Sequence, residues 1–129
     1  MIVVDTSALI AVLQSEAGAE RIEEILVTED QVFISAVTLT EALIVSLQKN
    51  LRDELEKFLL RINIEIIPLD GDDHETVVEA YSIWGKGINP ARLNFGDCFA
   101  YALANMRTLP LLYVGNDFAR TDIVSAMER

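Results

Sequence analysis

"MIVVDTSALI", residues 1–10, changes pattern at its midpoint. Ile2, Val3 and Val4 form an unbroken β-branched run with no polar face, the composition of a strand buried on both sides in a parallel sheet. From Thr6 onward, "TSALIAVL" reads as a helix. Asp5 stands at the junction, the one charged residue of the stretch.

The alternation continues along the chain. "GAERIEEILV" (18–27) predicts a helix with Ile22, Ile25 and Leu26 on one side. "QVFIS" (31–35) predicts a strand and "AVTLTEALIVSLQKN" (36–50) a helix. "LRDELEKFLLRI" (51–62) has the clearest amphipathic spacing, with Leu51, Leu55, Phe58, Leu59 and Ile62 in register. "IEIIPL" (64–69) is a strand stopped by Pro68. "DDHETVVEAYSIWGKG" (72–87) is a helix with Asp72 or Asp73 as its N-cap and glycines at its exit. After the loop "GINPARLN" (87–94), "LNFGDCFAYALANM" (93–106) is a helix in which Phe95, Phe99, Ala100, Leu103 and Ala104 are expected to be buried. "PLLYVG" (110–115) is the last strand, and "NDFARTDIVSAMER" (116–129) a turn with a short helix. Strands alternating with helices predict an α/β layer structure around a mostly parallel sheet, with right-handed crossovers. In such sheets ligands bind at the edge where the strands' carboxyl ends emerge.

The 129 residues suit one domain, 1–129, with a sizeable core. Hydrophobic residues make up 51% and charged residues 24% of the chain, an ordinary globular balance. No apolar run approaches the roughly 20 residues of a membrane helix. No basic segment precedes the first apolar stretch, so a signal peptide is not expected. A single cysteine makes no intramolecular disulfide and fits a cytoplasmic protein; one cysteine and one histidine also exclude most zinc-site spacings. The net charge is −11, whereas nucleic-acid binders usually carry a basic surface. Charge alone points to a basic partner.

Four acids fall at the carboxyl edge of the predicted sheet. Asp5 ends the first strand and Asp117 follows the last. Glu41 lies in the first turns of the helix after "QVFIS", and Asp97 in the first turn of the 93–106 helix. Each has a local alternative. Asp5 and Asp97 suit helix N-termini, the latter with Asn94 as cap. Thr38 and Glu41 match a capping box, and Asp117 a turn. Side-chain direction argues for more. Asp97 shares a helix face with Ala100, Tyr101 and Ala104, and Glu41 shares one with Val37, Ile44 and Val45, so both point to the packed side. Carboxylates gathered there repel unless a cation intervenes. An all-oxygen set suits a hard ion, Mg²⁺ or Mn²⁺, and the chemistry such an ion supports is phosphodiester hydrolysis.

"VVDTSALI", the glutamate of "SAVTLTEAL", "LNFGDCFAYALA" and "LLYVGNDFARTDI" together resemble the four acidic motifs of PIN-domain ribonucleases, in order and over essentially the whole chain. The likeness is greatest to the VapC toxins of toxin–antitoxin pairs. The resemblance implies a three-layer α/β/α sandwich with a mostly parallel central sheet. It implies a Mg²⁺-dependent endoribonuclease, a hydrolase with Asp5, Glu41, Asp97 and Asp117 as its acidic site. It further implies a homodimer and a cognate VapB-type antitoxin whose tail blocks the site. In the fourth motif Asn116, Asp117 and Asp122 are all candidates, and Asp117 in "DF" fits best. Thr6, Ser7 and Thr121 are candidate hydrogen-bonding neighbours. Lys86, Arg92 and Arg120 flank the motifs as candidate phosphate contacts, against an equal claim as solvated loop charges. Bound cations and a basic antitoxin segment would both offset the acidity.

Two other functions compete. One is a non-catalytic interaction module of the same fold, whose acids would be helix caps. The other is phosphoryl transfer to Asp5, weakened because Ser7 stands where a common phosphatase has a second aspartate and no lysine lies near "LLYV". His74 reads as a surface residue, Cys98 as core, and Ser7 lacks a histidine partner for hydrolase chemistry. Trp84, Tyr81 and Tyr101 read as packing residues; Tyr101, one turn from Asp97, is the one worth testing as a base-stacking platform.

Overall fold

The computed structural model describes residues 1–128. Four strands, β1 (Ile2–Val4), β2 (Val32–Ser35), β3 (Ile64–Ile67) and β4 (Leu111–Leu112), form one sheet in the order β3-β2-β1-β4. All three pairings are parallel, with Val3 opposite Phe33 on one side and Leu111 on the other. Six helices accompany them among the described residues: α1 (Thr6–Leu13), α2 (Ala19–Thr28), α3 (Ala36–Gln48), α4 (Arg52–Leu59), α5 (Asp73–Trp84) and α6 (Phe95–Arg107).

Strand alternation sends side chains to two cores, one on each face of the sheet. Ile2, Val4, Val32 and Ile34 pack with Leu9, Ile22, Leu26 and Leu55 from α1, α2 and α4. Val3, Phe33 and Leu111 pack with Ala80 of α5 and Ala100, Tyr101 and Leu103 of α6. That is the expected three-layer α/β/α sandwich. Helices covering both faces explain why β1 and β2 lack a polar side: every residue of both is buried. β3 lies at the sheet edge and is partly exposed, with Ile66 at 52%.

Three expectations need correction. The last strand pairs only over Leu111–Leu112, not to Val114, because the Val114 N–H turns away to donate to the Ser7 hydroxyl at 3.0 Å. Phe95 is not in the core: it is 73% exposed. It is the first residue of α6, and its ring meets that of Phe99 one helical turn on. The Glu41 face of α3 is only half-covered, since Ile44 is 53% exposed.

Candidate active site

Asp5 follows β1 directly and is the N-cap of α1. Its Oδ2 accepts the Ser7 N–H at 3.0 Å and the Ser7 hydroxyl at 2.7 Å, so the local capping role holds. The carboxylate is nonetheless 4% exposed, and Oδ1 is buried with no hydrogen-bond partner among the described residues. The two Ser7 bonds account for Oδ2 and leave Oδ1 unexplained, and buried polar atoms are ordinarily paired. Burial raises its pKa most; the Ser7 bonds oppose that, and the Glu41 charge adds to the rise.

Glu41 reaches the same place from α3. Its Oε1 accepts the Thr6 hydroxyl at 2.7 Å, while that hydroxyl also lies 3.2 Å from the Thr38 carbonyl. The local alternative for Glu41, a capping box with Thr38, does not form. Ser35 caps α3 instead, accepting the Val37 N–H, and the buried Thr38 Oγ1 has no partner among the described residues. Glu41 is thus free of a local role and tied to the residue after Asp5.

Asp97 sits in the first turn of α6 in a true capping box: Asn94 Oδ1 accepts the Asp97 N–H at 2.9 Å, and Asp97 Oδ2 accepts the Asn94 N–H at 3.0 Å. Its pKa is pushed up to about 6, chiefly by burial, and further by the charges of Asp5, Asp117 and Glu41 acting against the Asn94 bond. All four acids therefore share one electrostatic neighbourhood. Gly96, missed in the sequence, explains how α3 and α6 approach there. A Cβ on Gly96 would collide with the Glu41 carboxylate. A glycine in a first helical turn costs about 1 kcal/mol against alanine, and that oddity was the available signal.

Asp117 is exposed and precedes a short 3-10 turn (Phe118–Arg120), with no side-chain capping bond. Asn116 beside it is also exposed. Thr121 and Asp122 serve other ends. The Thr121 hydroxyl donates to the Phe118 carbonyl and accepts the Ile123 N–H. Asp122 Oδ1 accepts the Tyr101 hydroxyl at 2.5 Å, and that hydroxyl accepts the Trp84 indole N–H at 3.0 Å. Tyr101, 5% exposed and so engaged, is no open stacking platform. Lys86, Arg92 and Arg120 are exposed; Arg120 Nη1 donates to the Pro90 carbonyl at 3.1 Å, drawing the 3-10 turn onto the loop that carries the other two. His74 is on the surface beside Glu75, and Cys98 is in the core.

Among the described residues no three of the acids, histidine and cysteine stand gathered as a ready-made cage for an ion. The donor chemistry still fits a hard divalent cation: the oxygens are all carboxylate or hydroxyl, one buried carboxylate oxygen is orphaned, and burial, with the neighbouring acids' charge adding to it, raises the Asp5 and Asp97 pKa values.

The PIN domain family model matches residues 2–124. Among similar curated proteins, "Ribonuclease VapC30" of Mycobacterium tuberculosis is 35% identical over 95% of this chain and 96% of its own. "Ribonuclease VapC" of Mycolicibacterium smegmatis is 35% identical over 95% and 98%. In structure, the chain resembles VapC20 of M. tuberculosis, titled a sarcin-ricin loop cleaving toxin, with TM-score 0.77 at 16% identity over 98% of both chains. A chain of a toxin–antitoxin complex from Klebsiella pneumoniae matches with TM-score 0.75 at 21% identity, over 100% of this chain and 99% of that one. At those identities the structural likeness speaks to the fold. Among the described residues no helix is long and apolar enough to cross a membrane.

Proposed function

This chain belongs to the PIN domain family, and from that premise we propose that it is a metal-dependent endoribonuclease of the VapC kind, the toxin of a toxin–antitoxin pair. Asp5, Glu41, Asp97 and Asp117 are its acidic site, with Mg²⁺ as cofactor and Mn²⁺ as substitute. The observation that carries the reading is Asp5: a nearly fully buried carboxylate with one oxygen unpartnered, whose neighbours include two further acids tied to it by charge. A bound divalent ion would polarise a nonbridging phosphate oxygen and lower the pKa of a water. The ion's ligands would be Asp5 Oδ1 and carboxylate oxygens of Asp97, Glu41 and Asp117.

The chain's own residues have distinct parts. Ser7 fixes Asp5 through Oδ2 and leaves Oδ1 for ligation. Thr6 holds Glu41 through Oε1. Asp97 is held by its capping box with Asn94, and because burial pushes its pKa up to about 6, a bound cation would draw off its proton and keep it as a charged ligand. Lys86, Arg92 and Arg120 supply cations on one corner for RNA phosphates. A basic VapB-type antitoxin suits a chain of net charge −11, and a homodimer is expected with it.

The test is cleavage of a labelled RNA with and without Mg²⁺ by the parent, Asp5→Asn and Asp97→Asn proteins. Both substitutions are expected to abolish Mg²⁺-dependent cutting while the circular dichroism of the fold persists. Equal rates in all three would refute the proposal. The double use of Asp5 and Asp97 as helix caps favours one rival, the non-catalytic module. That rival predicts no thermal stabilisation by Mn²⁺, whereas a carboxylate site is stabilised by mass action.

A further inference from the structure

We infer that Phe95 is a stacking platform for a nucleobase of the RNA, the base adjoining the phosphate that enters the carboxylate site; this rests on the nuclease reading above. A single exposed phenylalanine is ordinary, but Phe95 is not single. Ile44, Leu47 and Phe95 are 53%, 61% and 73% exposed. Between α3 and the start of α6 lies an apolar recess of about 460 Å³, lined by Val37, Ile44, Val45, Phe95, Gly96 and Glu41 among others. An apolar patch rimmed by charge marks a binding surface.

Three features specify the occupant. Phe95 and Glu41 both wall the recess, and Glu41 also belongs to the acidic group, so recess and acids share a border. The Phe95 ring is held in place by Phe99, with centroids 4.9 Å apart and planes at 63°, yet remains mostly open to solvent. A braced and exposed ring offers a π face at little entropic cost. Finally, the walls of the recess suit an uncharged planar group better than a phosphate, because Glu41 is the acid at its margin. Proteins read single-stranded RNA by splaying bases onto aromatic side chains, and such stacking tolerates any base. An aliphatic side chain of a protein partner would fill the same recess by bulk alone and would not need the ring.

That difference defines the experiment. A single-stranded oligoribonucleotide carrying 2-aminopurine at successive positions is titrated with the parent, Phe95→Trp, Phe95→Leu and Phe95→Ala chains in Ca²⁺, and unlabelled RNA is cut in Mg²⁺. The exposed site leaves folding intact, which thermal midpoints check. Quenching is expected at one position, retained with Trp and lost with Leu and Ala. Affinity should fall roughly tenfold in the last two, as base–aromatic stacking predicts, with KM rising and kcat held. If Leu matches Phe in binding and quenching, the recess is an apolar socket and stacking is overturned. A drop in kcat with KM unchanged overturns it too. A parent that binds and quenches but does not cut keeps the Phe95 assignment and rejects the nuclease reading. A parent that neither binds nor quenches rejects Phe95 even if it cuts.

Discussion

Asp5 and Asp117 arrive at one edge of the sheet from opposite ends of the chain, and the fold treats them differently. Asp5 is 4% exposed, fixed through the Ser7 N–H and hydroxyl, and seated between a buried strand and a buried helix. Asp117 is exposed and uncapped before a 3-10 turn. The buried carboxylate is a fixed post that costs desolvation whenever it is charged; the exposed one costs little and can adjust. A metal site assembled from both kinds should depend on them unequally. Asp5→Asn is expected to lower RNA cleavage by roughly a thousandfold, the rate equivalent of several kcal/mol. Asp117→Asn should lower it by roughly ten- to a hundredfold, in the range seen for supporting groups of metal sites. Single-turnover rates at saturating Mg²⁺ measure both, and equal losses would erase the distinction.

Gly96 sharpens the fixed side of the comparison. Gly96→Ala adds a methyl group where the Glu41 carboxylate lies. The helix alone would gain about 1 kcal/mol from alanine, so an ordinary exposed glycine would be stabilised by the change. Here the methyl displaces the free end of the Glu41 side chain and breaks its tie to Thr6, so the gain is expected to be offset to near zero, with loss of cleavage. Urea unfolding of Gly96→Ala alone and with Glu41→Ala checks the cause: the second substitution should let the full helix gain appear. A more stable, fully active Gly96→Ala would show that the carboxylate yields freely.

Charge gives the next effect. The folded pKa values of Asp5 and Asp97 are raised, the latter from 3.8 to about 6. Between those values the native state binds more protons than the unfolded chain, so these groups' contribution to stability falls as pH rises through that window. In EDTA the thermal midpoint is expected to drop from pH 4 to pH 7 on their account, and Asp97→Asn should flatten the slope. Mn²⁺ should raise the midpoint above pH 6 and lose its effect below pH 5, where protons compete for the same oxygens. A midpoint indifferent to Mn²⁺ at pH 7 would favour the non-catalytic reading.

The α/β layering and its mostly parallel sheet were legible in the sequence because buried strands leave a continuous apolar signature, as in Ile2–Val4 and Val32–Ser35; the strand order was not. The acids' shared edge followed from the same alternation. Local chemistry was less legible. Thr38 and Glu41 have the spacing of a capping box, but Ser35 takes the cap and Thr6, remote in sequence, takes Glu41. Phe95 has core composition, yet as the first residue of its helix it is 73% exposed. The open choice at Glu41 and the misread burial of Phe95 both lie where tertiary neighbours decide, which the pattern of a single segment does not encode.

The adjustable side has its own anchor, and it yields the smallest prediction. The segment bearing Asp117 is tied at one end by the Val114 N–H to Ser7, which holds Asp5, and at the other by Asp122 to Tyr101, one turn beyond Asp97. The Tyr101 pKa is pushed up to about 12, chiefly by burial and then by the Asp122 bond, so the hydroxyl keeps its proton and donates at every ordinary pH. Tyr101→Phe preserves the ring's packing and removes that tie, and it leaves the Trp84 indole N–H without its acceptor. The expected loss is about 1 kcal/mol of stability and a few-fold in cleavage. The activity loss should vanish in an Asp117→Asn background, where there is no carboxylate left to position. A full Tyr101→Phe loss in that background would mean that the hydroxyl acts on α6 and Asp97, and that the two halves of the site are less separate than their burial suggests.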